Sequence, residues 1–153
     1  MRAVDVPFPT RLFSLREANG LVDTLKDQFT RARELRDQLM GAQEKLAAAG
    51  RPIDGPEVEV DPAAPQSVQR LQARAAGIIA KLRDLLREVA ELGVEVKGAE
   101  GLVDFRSKLH GRTVYLCWKY GEERIEHWHE LDTGFSARKP LPVDGDFIGD
   151  LLH

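Results

Sequence analysis

Two runs of apolar residues, spaced by alternating steps of three and four, constrain this chain more than any other feature. The first falls on Leu15, Ala18, Val22, Leu25, Phe29, Ala32, Leu35, Leu39, Ala42 and Leu46. Strict heptad phase would demand position 36, which is Arg36, so the seam slips once at Leu35. The second falls on Val68, Leu71, Ala75, Ile78, Leu82, Leu85, Val89 and Leu92. Such spacing gathers each set on one helical face and is the seam of a coiled coil. Ser14 followed by Glu17 reads as a capping box at the start of the first run. A helix over residues 15–49 would be roughly 50 Å long.

Gly50, Pro52, Gly55 and Pro56 stop that helix, because proline cannot continue the hydrogen-bond ladder and glycine suits a left-handed cap. The connection near residues 50–66 carries Asp54, Glu57, Glu59 and Asp61 and reads as a solvated, mobile acidic loop. The second helix starts between Pro62 and Ser67 and ends at Gly93, with Val94 folding back onto the last turn. Two long helices with a reversing connection predict an antiparallel, coiled-coil-like hairpin over residues 14–93, preceded by an arm of residues 1–13. Ile79 and Leu86 widen the second stripe beyond what one partner helix covers. A homo-oligomer, expected as a dimer, follows from that width.

After residue 93 the period changes. Residues 101–105 read as a short strand, 113–119 as a second and 124–131 as a third, with a tight turn at Gly121. The fold class predicted is therefore α+β, the hairpin being followed by a small antiparallel β module over residues 94–141 and a tail over 142–153. If the turn between the last two strands holds an even number of residues, the pleat fixes the faces. Val114, Leu116, Trp118, Ile125, His127, His129 and Leu131 then share an apolar face. Tyr115, Cys117, Lys119, Arg124, Glu126, Trp128 and Glu130 share the other.

The residues Gly101-Leu102-Val103-Asp104-Phe105, Val114 to Lys119, Gly121-Glu122, Trp128-His129-Glu130, Gly134-Phe135 and Arg138 form a distinctive set, with Phe13-Ser14 and Glu17-Ala18-Asn19 near the front. In these the chain resembles the bacterial family known as domain of unknown function 2203. The likeness extends to about Leu141 and leaves the tail outside. It implies a small cytoplasmic protein and supplies no catalytic residues. Ser136-Ala137 stand where a glycine would be expected before the arginine.

Several side chains carry chemistry. His127 and His129 alternate on one strand, so both imidazoles face the same way. They read first as structural histidines at the sheet–helix boundary. The alternative is a divalent metal such as zinc, with His110, Asp104 or Asp132 as a third ligand. Cys117, the one cysteine, has no forced histidine partner and reads as a packing residue. Asp104 and Arg138 are expected to form an ion pair that closes the module. Tyr115, Lys119, Glu126, Trp128 and Glu130 form a candidate partner-binding face, an aromatic among charges of both signs. On that reading Trp128→Ala would cost little stability.

The net charge of −3, from 22 Lys+Arg and 25 Asp+Glu, argues against a nucleic-acid binder. No apolar run approaches the roughly 20 residues of a membrane span, and no secretory leader is visible. The leading expectation is a non-enzymatic cytoplasmic interaction or assembly protein without a cofactor, meeting a protein partner through its β module. One alternative is a metal-binding protein or metal-dependent enzyme using His127 and His129. Another is a hairpin that acts, like some transcription factors, through its acidic tip.

Overall fold

The structure is a computed structural model and describes residues 11–150. The order of elements is α1 (Leu15–Asn19), α2 (Val22–Ala48), α3 (Gln66–Ala90), β1 (Glu95–Gly98), β2 (Leu102–Leu109), β3 (Arg112–Lys119), β4 (His127–Glu130), β5 (Lys139–Pro140) and β6 (Phe147–Ile148), with a 3-10 turn at Phe135–Ala137. The fold is α+β: two long helices and an antiparallel sheet. The chain divides into two compact units, one of residues up to Phe29 and from Leu86 onward, the other Thr30–Leu85. Residues 1–10 of the expected arm and 151–153 of the expected tail lie outside the described residues. Among the described residues no helix is long and apolar enough to cross a membrane.

The capping box forms as its sequence demands. The Glu17 amide donates to Ser14 Oγ at 3.1 Å, and the Ser14 amide donates to the Glu17 carboxylate at 2.9 Å. The first helix is not continuous, however. It breaks at Gly20-Leu21, where the Gly20 amide bonds back to Arg16, before α2 resumes at Val22. The break falls at a glycine, but Gly41 and Gly77 sit inside unbroken α2 and α3, so propensity alone does not account for it. At the far end of α3, Gly93 takes the left-handed conformation, φ 91°, as the expected cap.

In the unit Thr30–Leu85, Ala42 and Leu46 of α2 pack with Ala64, Val68 and Ala75. The connection between the helices is not the loose loop its composition suggests. Ile53 and Val58 pack against this same core. Arg51 holds the Asp61 carboxylate, whose other oxygen accepts from the Ala63 amide, and the Asp61 amide donates to Gln72. Arg83 reaches the Pro56 carbonyl at 3.1 Å.

In the other unit, the sheet runs in the order β1-β2-β3-β4-β5, with β6 also paired to β2. None of β1, β5 and β6 is among the strands expected from the sequence. Along the side of β2 away from β3 lie β1, a single parallel bridge from Leu12 to Arg106, and β6. Three short pieces thus cover an edge that would otherwise present unpaired backbone groups. Residues 142–150, the described part of the expected tail, dock on this unit: Phe147 is buried, and Asp150 exchanges hydrogen bonds with Leu12 at 2.8 and 2.9 Å.

One sheet face makes the core of this unit. Phe13 meets Phe105 edge-on at 5.2 Å, and Phe29 lies 6.1 Å from Trp118. Trp118 is fully buried, and its indole N–H donates to the Glu122 carbonyl.

The register corrects the faces read from the sequence. Leu116 pairs with Trp128 and Cys117 with His127. Directly paired residues share a face, so Trp128 joins Leu116 and Trp118 on the core side. His127 and His129 join Cys117, Tyr115 and Asp104 on the other. Residues 120–126 separate β3 from β4, an odd number, and a one-residue slip exchanges every side chain between faces. Ile125 is buried but precedes the strand, and Leu131 follows it and is exposed.

Candidate functional site

The sheet face opposite the core is polar and yet largely closed. Asp104 of β2 pairs with Cys117 of β3, and Cys117 with His127 of β4; Tyr115 pairs with His129. His129 and Asp104 therefore stand on the two strands flanking β3 and reach toward each other across it. Nε2 of His129 lies 3.0 Å from both carboxylate oxygens of Asp104. The donor atoms of Asp104, Cys117 and His129 all lie within 4.8 Å of one another, and the three residues are buried. The segment after β4 closes over them. Arg138 places one guanidinium nitrogen 4.0 Å from the Cys117 sulfur and holds Glu122 through two contacts, 3.1 and 2.8 Å. Phe135 packs under the Arg138 guanidinium at 4.3 Å. No left-handed residue occurs at Ser136 or Ala137, so this turn needs no glycine.

Hydrogen-bond roles fix one proton of the His129–Asp104 pair. Nδ1 of His129 faces the Glu130 carbonyl at 2.8 Å, and a carbonyl only accepts. Nδ1 therefore carries a hydrogen. The contact between Nε2 and the carboxylate needs one more, either on Nε2 or on Asp104. Burial pushes the Asp104 carboxyl above its ordinary value, and His129 works against that shift. Burial, with the charge of Asp104 beside it, also pushes the Cys117 thiol up to about 12, despite Arg138. A protonated, buried thiol is no nucleophile at neutral pH. Nε2 is committed to Asp104 rather than turned to serve the sulfur as a base, so the three do not make an acyl-transfer triad.

The sequence-derived candidates redistribute. Of the metal set His127, His129 and Asp104, the structure brings His129 and Asp104 together and adds Cys117, which an even-turn register places on the opposite face. His127 stays outside: its Nδ1 has no hydrogen bond and lies 3.7 Å from Glu122. The Asp104–Arg138 ion pair does not form, because Asp104 belongs to His129 and Arg138 to Glu122. Of the proposed partner face, Trp128 and Tyr115 are buried; Lys119 and Glu126 are exposed, and Glu130 pairs with Arg112 at 2.8 Å. Sequence reasoning misses the cluster because it depends on cross-strand register, which no local motif encodes. The parity of the loop is the missing signal.

A second polar network borders the first. The Glu95 carboxylate accepts from Arg106 at 2.7 Å, Tyr115 at 2.9 Å and Lys97 at 3.0 Å. Desolvation works to raise the Glu95 carboxyl, but these three donors outweigh it and hold the group below its ordinary range. The sign follows: a carboxylate lowered on folding stabilises above its unfolded pKa, and that contribution is lost as pH falls through the folded value. Glu122, lowered by Arg138 and the Lys119 amide against its own desolvation, adds in the same direction. Stability measured by urea unfolding should therefore fall as pH is taken below about 4.5. Glu95→Gln is expected to cost about 1 kcal/mol at neutral pH, modest because Arg106 and Lys97 are partly solvated. It should also flatten the acid limb. Identical slopes for the two proteins on that limb would refute the assignment.

Fold and site together define a small α+β protein with a buried Asp–Cys–His cluster on the polar face of its sheet. The family model described as "Uncharacterized conserved protein (DUF2203)" matches residues 11–141, and the chain belongs to that family. No curated protein and no solved structure matches it.

Proposed function

We propose that the chain is a non-enzymatic assembly protein whose working part is a coiled-coil-like hairpin of α2 and α3, and that it dimerises through α3. The observation that supports this most is the width of the α3 stripe. Ala75, Ile78, Leu85 and Val89 are buried; of the two widening residues Leu86 is already buried within one chain, while Ile79, with Leu82 of the seam, stays only half-buried. A second copy laid along that stripe would cover them. On this reading the β module is not the recognition face, since Trp128 and Tyr115 are buried. We place the protein in the cytoplasm, where an unpaired cysteine is the ordinary state. An acidic-tip role would rest on Asp54 and Glu59, because Asp61 is held by Arg51 and Glu57 lies 3.9 Å from Arg83.

Light scattering at tens of micromolar is expected to give the mass of a dimer, and Ile79→Lys the mass of a monomer with its helical content unchanged. A monomeric wild type at that concentration would remove the basis for the reading.

A further inference from the structure

We propose that Asp104, Cys117 and His129 supply three ligands to one divalent ion of the zinc class, with a water completing its four-coordination, independent of whether the hairpin dimerises. The donor set is nitrogen, sulfur and carboxylate oxygen, the mixture that zinc accepts. Three adjacent strands supply one ligand each, and all three donor groups converge within 4.8 Å. The two Asp104 oxygens stand 3.0 Å from Nε2. Donors each about 2.1 Å from a shared ion stand roughly 3.0–3.5 Å apart, so the Asp104–His129 separation already suits a ligated pair, and the Cys117 sulfur, within 4.8 Å of both, has to close the remainder. The second imidazole nitrogen is already fixed: Nδ1–H donates to the Glu130 carbonyl and turns the Nε2 lone pair into the cluster. That is the orienting contact that metal-bound histidines use.

Charge agrees as well. A dication with one carboxylate, one thiolate and a neutral imidazole sums to zero, which suits a site whose three ligands are at most 3% exposed. Arg138 beside the sulfur is compensated by its own partner, Glu122. His127 shares the face but not the cluster.

The test uses the full chain, unfolded with chelator, desalted and refolded with one equivalent of cobalt(II). We expect one cobalt per chain, a thiolate-to-cobalt charge-transfer band in the near ultraviolet, and a higher melting temperature than the chelated protein. Cys117→Ser should fold and lose the band. Asp104→Asn and His129→Gln should each weaken cobalt binding at least tenfold, while His127→Gln keeps both band and affinity. Natively folded wild type that retains no cobalt would overturn the proposal. So would cobalt retained without the band, or binding that His127→Gln abolishes.

Discussion

Trp118→Ala is expected to destabilise the protein by about 5 kcal/mol, and Trp128→Ala by about 3 kcal/mol. Trp118 has no exposed surface, packs at 6.1 Å from Phe29, and satisfies its indole N–H on the Glu122 carbonyl. Truncation removes the largest side chain of this core and leaves a cavity between sheet and helix that the strands cannot close. It also leaves the Glu122 carbonyl without this donor. Trp128 is 8% exposed, and its ring is flanked by Arg112 and Lys139 at 5.8 and 5.3 Å. Those flexible neighbours can fall into part of the space, so the lower figure applies. A domain of this size is stable by roughly 5–15 kcal/mol, so the Trp118 variant should lose between a third and all of its stability. Urea unfolding followed by far-ultraviolet circular dichroism reads both. If Trp128→Ala lay within about 0.5 kcal/mol of wild type, the level of an ordinary surface change, Trp128 would not belong to the core face.

The helices are legible because their information is local. Seam residues such as Ala32, Leu35, Ala42 and Leu46 are buried, and the Ser14–Glu17 box forms both of its bonds. The Gly20 break is equally local, but the apolar spacing runs through it without a change of phase and hides it. The sheet is legible as strands but not as faces. A strand taken as 124–131 offers Ile125 and Leu131 as apolar residues and pulls the histidines to the core side. The strand that forms is only His127–Glu130, and within it Trp128 is the one large apolar residue. Element length, not composition, decides the register. β1 and β6 escape a sequence reading for another reason: four- and two-residue strands carry almost no periodic signal and exist because β2 offers them an edge. The Asp104–Cys117–His129 cluster inherits both difficulties. Its members are 12 or more residues apart, and only the correct register puts them on one face.

Asp104→Ala is the other change with a large expected effect, about 3 kcal/mol in chelated protein, because it strands His129 in a buried site without its partner. Asp104→Asn separates the two ways the pair can hold its proton. With Nδ1–H fixed on the Glu130 carbonyl, a neutral His129 presents an Nε2 lone pair. An asparagine amide can donate to that lone pair in nearly the geometry of a protonated carboxyl. If burial keeps the pair neutral, Asn should replace Asp at a cost below about 1.5 kcal/mol. If instead the pair is an imidazolium beside a carboxylate, Asn removes the compensating charge and should cost nearly as much as Ala. The upward push of burial on the Asp104 carboxyl favours the neutral pair, so the mild outcome is expected. Urea unfolding of the three proteins at neutral pH decides it, and His129→Leu in the Asp104→Ala background supplies the control. Removing the stranded imidazole should restore part of the lost stability. A further loss instead would show that His129 is held chiefly by Glu130 and Tyr115, whose ring lies 5.2 Å away, and not by Asp104.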